Sequence, residues 1–305
     1  MKKQLFLAAF LMTAFFTASA QKPDLAQVLV HYKFTHVRDT TNRANPYTEN
    51  MVLFIGSSAS AYRSYDRQLQ DALFKKQLAD AKASSPDGNI RINRQMTGSG
   101  TEYFQFPNER KFFTKERLLN AYLIESPVPE MTWKIGSDTA SFGGLHCQKA
   151  TTHFKGRDYT AWFCPDLPVH TGPWKLNGLP GAIVEAYDAK NEVVFKFDGV
   201  EKATAVSKDY VTKDDHPGAQ VVIIGMDEGS SDPNVIEIPA KAIKTTQKEF
   251  EILREAMRKD PNAFAQSMMA GQGGNLQNNG PKMSFKIKSG PGPVINNPIE
   301  LPEKK

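Results

Sequence analysis

Apolar and polar residues alternate along most of this chain, the pattern of strands with one buried face. Residues 25–37 (LAQVLVHYKFTHV) alternate and are rich in β-branched and aromatic types, which predicts a strand. A polar connection from Arg38 to Asn50 leads to a second apolar run, MVLFIG at 51–56. The period changes at 65–82. There Leu69, Leu73, Phe74, Leu78 and Ala81 recur at three- and four-residue steps, predicting an amphipathic helix that ends in the loop residues Ser84 to Gly88.

From about 89 to 240 the period is mostly two. YFQF at 103–106, AYLIES at 121–126 and MTWKI at 131–135 read as short strands. LHCQKATTHF and YTAWFC, joined through Lys155-Gly156-Arg157-Asp158, read as a hairpin, with Arg157 and Asp158 as turn residues. A second hairpin joins GAIVEAYD to EVVFKFDGVEK, and AQVVIIG at 219–225 and VIEIP at 235–239 are further strands. Residues 246–258 return to a helical stripe with Phe250, Leu253 and Met257. Beyond Asp260-Pro261 the composition shifts: 271–282 is rich in Gly, Asn and Gln, followed by the strand-like KMSFKIK and by NNPIEL. Strand signals without intervening helices argue for an antiparallel sheet over a doubly wound α/β fold. The expected layout is one β-rich domain over 21–260 and a flexible 261–305 segment with a short terminal strand.

Residues 1–20 carry the order of an export signal: Lys2 and Lys3, an apolar stretch from Leu5 to Phe16, then Ala18-Ser19-Ala20. Cleavage after Ala20 would expose Gln21, which is not the cysteine of a lipid-anchored protein. An uncleaved membrane anchor is the alternative, disfavoured because no charged stop-transfer flank follows. No later run reaches 18 apolar residues, so the mature chain is expected to be exported without a transmembrane segment, to the periplasm, the outer membrane or the medium.

Composition narrows the class. In 305 residues, 40% hydrophobic and 10% aromatic side chains are enough for a sizeable core. The 38 basic and 33 acidic residues give +5 without a basic block, so no nucleic-acid partner is expected. Two cysteines exclude a disulfide-stapled miniprotein and a four-cysteine zinc site.

At 145–183 a set of motifs accumulates: Cys147-Gln148-Lys149-Ala150-Thr151, Gly156 to Trp162 (GRDYTAW), Gly172-Pro173-Trp174, and Gly178-Leu179-Pro180-Gly181-Ala182-Ile183. With Trp133 before them and Asn297-Pro298-Ile299-Glu300-Leu301 near the end, this resembles the GLPGLI family, secreted bacterial proteins of unsettled function; Ala182 departs from its motif. The resemblance implies an antiparallel β protein of the cell envelope, similar to the bowl-shaped N-terminal domain of type II peptide-N-glycosidase F. The fold class expected is therefore mostly β, a curved antiparallel sheet or half-barrel with a few amphipathic helices. The family brings no established catalytic residues.

Pro180 and Gly181 suit the centre of a type II turn, with φ above zero at Gly181. That makes the motif structural, with a rigid display loop as the alternative. Cys147 and Cys164 flank the first hairpin. If its turn centres between Lys155 and Gly156, facing positions sum to 311, as 147 and 164 do, and an exported protein would join them as a disulfide. A centre one residue later shifts the pairing, and two buried thiols remain the alternative.

Candidate chemistry is sparse. His146, Cys147, His153 and His170 lie close in sequence, but His146 and Cys147 point to opposite strand faces, so no metal site is expected. His31, His36 and His216 are scattered. No G-x-S-x-G, H-E-x-x-H or P-loop occurs, the glycines at 271–274 sit in a polar tail, and no cofactor is expected. Glu102, Glu125 and Asp158 are carboxylates that sequence spacing does not bring together. Aromatics crowd the central hairpin, and Tyr159, Trp162 and Trp174 form a possible binding surface, some of it core. Three functions follow in order: a non-enzymatic envelope protein binding a partner protein or an apolar or glycan ligand; a periplasmic lipid or lipoprotein carrier; an envelope glycan or peptide hydrolase.

Overall fold

The computed structural model describes residues 22–84, 98–204, 232–271 and 294–303. The export signal at 1–20, the 219–225 strand, His216, the 271–282 stretch after Gly271 and KMSFKIK lie outside the described residues. The chain forms β1 (Asp24–Leu25), β2 (Val28–His36), β3 (Tyr47–Ile55), β4 (Ser60–Ser64), α1 (Tyr65–Ser84), β5 (Glu102–Phe106), β6 (Lys111–Arg117) and β7 (Ala121–Pro127). It continues through β8 (Lys134–Phe142), β9 (Leu145–Phe154), β10 (Arg157–Cys164), β11 (Ala182–Asp188) and β12 (Val193–Lys202). After these come β13 (Val235–Ile236), β14 (Ile243–Thr245), α2 (Gln247–Lys259) and α3 (Pro261–Gly271).

Among the described residues twelve strands make one open sheet in the order β14-β7-β6-β5-β4-β3-β2-β12-β11-β10-β9-β8, antiparallel except where β14 runs parallel to β7. The expected mostly β, antiparallel class holds. Several elements differ from expectation. The strand expected at 131–135 starts at Lys134 and runs on to Phe142, because Gly136 and Asp138 sit in a bulge against β9. The polar strand β6 carried too little alternation to be read. Residues 261–271 are helical because Pro261 suits a first helical position, and α3 packs on α2. In α1 Phe74 is buried while Leu69 and Leu73 are exposed, so its apolar stripe is only partly used.

The sheet is covered on both faces near its middle, since period-2 side chains divide between two clusters. Val30, Tyr32, Met51, Leu53, Ile55, Tyr62, Ala161, Phe163 and Phe195 belong to the inner cluster. Leu29, Val52, Phe54, Ala61, Phe104 and Phe113 belong to the outer one, capped by Ile236. The inner face is closed by the loop 165–181, whose Trp174, Leu176 and Leu179 are buried. Trp174 stacks on Phe195 at 6.4 Å and meets Phe154 edge-on at 5.7 Å. Its φ of 57° is unusual for a bulky residue, a local strain that its buried indole offsets.

Hydrogen bonds lace this loop to its surroundings. Leu167 N donates to Cys164 O, Ile183 N to Thr171 O, and Trp133 Nε1 to Asn177 O. Within the Gly178–Ile183 motif the expected turn is corrected. Gly178, with φ of 89°, takes the left-handed conformation, and Gly181 does not. Gly181 is constrained by space instead: a Cβ there would lie 2.4 Å from the Cys164 carbonyl oxygen. The motif thus lets the chain turn back and press directly against the end of β10.

That end is covalently fixed. The β9–β10 turn is Lys155-Gly156, with φ of 50° and 70°, the type I′ form that matches strand twist. Phe154 faces Arg157 and Gln148 faces Phe163, so the register follows the 311 sum, and Cys147 and Cys164 are joined as a disulfide.

Two changes separate space from backbone freedom. Gly181→Ala should cost about 1–3 kcal/mol through overpacking, and Gly181→Asn should be no better. Gly178→Ala should cost about 1 kcal/mol, with Gly178→Asn recovering part because Asn tolerates the left-handed region. Denaturant midpoints of the four variants check this.

Candidate functional site

Two constellations meet at the β9–β10 hairpin. The first is buried. Arg157, expected to be a turn residue, instead opens β10 and is 4% exposed. Its Nη1 donates to Asp188 Oδ2 at 2.7 Å and Glu192 Oε2 at 3.3 Å. Its Nη2 donates to Asn297 Oδ1 and Pro298 O, both at 2.7 Å, and its Nε to Ile299 O at 2.9 Å. Asn297 Nδ2 donates to Val37 O and Glu192 Oε2, and Asn297 N to Arg38 O. Buried His36 bonds Asn297 O through Nε2 at 2.8 Å, and burial first, then nearby Arg38 and Arg157, push its pKa down to about 4. It is neutral at pH 7 and donates. Arg43 completes the set on Glu192 at 2.8 Å. Charges balance and the guanidinium is saturated, so this unit holds the chain's terminal residues against the hairpin.

The second constellation lies on the outward side of β10, opposite buried Tyr159, Ala161 and Phe163. Asp158, Thr160 and Trp162 share one face of β10, where Asp158 faces His153, Thr160 faces both Thr151 and Tyr187, and Trp162 faces Lys149. Thr151 in turn faces Lys134. A cavity of about 420 Å³ opens here, lined by Thr132, Lys134, Thr151, Thr152, His153, Asp158, Tyr159, Thr160 and Ala189. Two residues along β10 from Thr160 and outside that lining, half-buried Trp162 packs on Phe142 at 5.8 Å, which packs on Phe197 at 5.7 Å. The groove is a row of hydroxyls with charged groups of both signs and an aromatic edge.

His153 links the two constellations. Its Nδ1 is 2.6 Å from Asp158 Oδ1 and its Nε2 2.8 Å from Glu303 Oε2; Glu303 also accepts from Gly156 N at 3.0 Å. Bonds to Asp158 and then Glu303 raise the His153 pKa above its usual value, and the same contact lowers that of Glu303.

The expected aromatic surface is therefore only partly realised. Tyr159 and Trp174 are core residues, 1% and 4% exposed, because they face the inner cluster; Trp162 alone lies towards solvent. The three carboxylates are not brought together. Half-buried Glu102 pairs with buried Lys115, Glu125 lies near Lys111 at 3.9 Å, and Asp158 stands six strands from β5. His170 bonds Leu179 O inside the loop and His146 bonds Asp166 on the surface. Among the described residues no cluster of three His, Cys, Asp or Glu side chains forms a metal set. Lys134, Thr151, Thr160 and Tyr187 were not singled out from sequence, although the 311 register already places Thr151 against Thr160.

Residues 153–185 match the family model described as "Protein of unknown function (Porph_ging)". The matched stretch runs from the end of β9 through the loop and the Gly178–Ile183 motif into β11. No curated protein matches the chain. Among solved structures, "Structure of PNGF-II in P21 space group" is similar at 13% identity and a TM-score of 0.40, covering 60% of this chain and 30% of that one. "Structure of PNGF-II in C2 space group" is similar at 13% identity and a TM-score of 0.39, covering 59% and 28%. This chain spans less than a third of the length of those proteins. No described helix is long and apolar enough to cross a membrane.

Because its folded pKa is raised, the charge of His153 favours Glu303 docking in full only below its unfolded pKa, and that contribution is lost as pH rises through the folded one. The lowered pKa of Glu303 sets the opposite limit, where docking weakens as pH falls through it. An NMR titration should place the His153 pKa above 6.5, and Glu303→Gln should move it down. A value unmoved by Glu303→Gln would contradict the link.

Proposed function

We propose that this chain is an exported β protein that acts by binding a polyhydroxylated ligand, a glycan, without catalysing its turnover. The observation that carries this is the outer-face groove. Thr132, Thr151 and Thr160 present hydroxyls beside Lys134 and Asp158, with Tyr187 and Trp162 adjoining. Hydroxyl and carboxylate partners suit sugar hydroxyls, and aromatic faces suit the apolar side of a sugar ring. Opposed residues repeat across the sheet at about 4.8 Å, close to the length of one pyranose unit. An open, rigid sheet face accommodates an extended chain without closing over it.

The lipid-carrier reading needs an empty apolar interior, and Trp174, Leu176 and Leu179 occupy the inner face. The hydrolase reading needs neighbouring carboxylates, and Glu102, Glu125 and Asp158 are dispersed. Export is supported by the residue order at 1–20 and by the Cys147–Cys164 disulfide, which suits an oxidising compartment.

Titration with a panel of soluble oligosaccharides, with an extended peptide as control, tests the reading. Wild type should bind a glycan, and Thr160→Trp, which fills the groove from a partly exposed position, should weaken binding at least tenfold with an unchanged unfolding midpoint. Equal binding by a stable Thr160→Trp variant would remove this surface. Glycan turnover by the purified protein would overturn the non-enzymatic reading. N-terminal sequencing of exported protein should begin at Gln21.

A further inference from the structure

We infer that the groove holding residues 296–303 is a peptide-binding site, and that it accepts the same segment from a second copy of this chain. Residues 294–303 form neither strand nor helix. The side-chain bonds that seat the segment run to residues at least 105 positions earlier, the nearest of them being Asn297 to Glu192. Asn297 fills a buried slot, bonded through both side-chain ends and both backbone groups. Glu300 meets Lys175 and Lys155, Leu301 N donates to Lys155 O, and Glu303 reaches His153 and Gly156. These are the marks of a ligand read residue by residue: a buried anchor, two flanking carboxylates on cationic partners, and backbone bonds between them.

Covalent attachment does not define this docking. Val294 and Ile295, at the start of the described segment, are 63% and 53% exposed. Between Gly271 at the end of α3 and Val294 lie the 22 residues 272–293, which join the segment to the rest of its own chain. A covalent tether raises the effective concentration for docking within one chain. Exchange between copies therefore becomes visible when the linker is shortened or the protein is concentrated, and the product is a closed, two-fold dimer in which each chain completes the other's Arg157 unit.

The test uses full-length protein carrying a protease site between residues 275 and 290, cut after folding. The C-terminal fragment should stay bound, and an added fluorescent peptide of residues 294–305 should displace it, whereas the same peptide with Asn297→Ala should bind at least tenfold more weakly. In parallel, full-length protein with a 12-residue deletion in the linker should sediment as a dimer. Failure of the labelled peptide to enter, with the cut fragment lost or permanently retained, would overturn the inference. So would a shortened-linker variant that stays monomeric at high concentration. Both readouts are independent of glycan binding, so either reading can fail alone.

Discussion

A guanidinium cannot be left buried without partners, and that constraint organises one end of this molecule. Arg157 sits at the start of β10 with its five N–H groups directed at Asp188, Glu192, Asn297, Pro298 and Ile299. Three of those five acceptors belong to the chain's last ten residues. Removing one partner of a buried charge typically costs 3–5 kcal/mol, so the C-terminal segment is a structural requirement of the hairpin and not an ornament. Asp188 extends the same unit, since its Oδ1 accepts from the backbone of Glu192 and Val193 and so shapes the β11–β12 turn. Tight turn, buried ion cluster and terminal segment are one object.

The other end of the hairpin is held by different means. The disulfide fixes Cys164, the loop 165–181 folds back across the inner face, and Gly181 lets it return in contact with the Cys164 carbonyl. The loop fills the space that a carrier would leave open, with Trp174 at its centre. Two anchors at opposite ends of β10, one covalent and one ionic, make the outer face of β8–β11 rigid. Rigidity on a surface bearing Thr151, Thr160, Tyr187 and Trp162 is what a binding face needs, because little freedom is lost when a ligand settles.

Local signals in the sequence carried most of the sheet. The two hairpins, the α1 and α2 periodicities and the 147–164 pairing follow from period, turn chemistry and register. β6 and the greater part of β8 were hidden because KFFTKER and KIGSDTASF lack clean alternation, and β8 is an exposed edge with a bulge. The role of Arg157 was invisible for a different reason: its partners Asn297, Pro298 and Ile299 are about 140 residues away, and no local pattern announces so distant a contact. Tyr159 was misplaced because a strand's period divides two faces without saying which is covered, and Trp174 because the loop 165–181 folds back over the inner face. The φ expected at Gly181 failed because a Pro-Gly pair suggests a turn type, while the neighbouring carbonyl that actually constrains the glycine comes from another strand.

A double-mutant cycle joining Arg157→Met and Asn297→Leu measures most directly whether tail and hairpin are one buried unit. Denaturant unfolding of wild type, both single variants and the double variant supplies the four stabilities. Each single change strands a buried polar partner, so the double variant should be more stable than the sum of the two losses predicts, with a coupling of about 1–3 kcal/mol. Losses that add to within about 0.5 kcal/mol would show that the two residues act independently, and the dependence of the hairpin on the C-terminal segment would be contradicted.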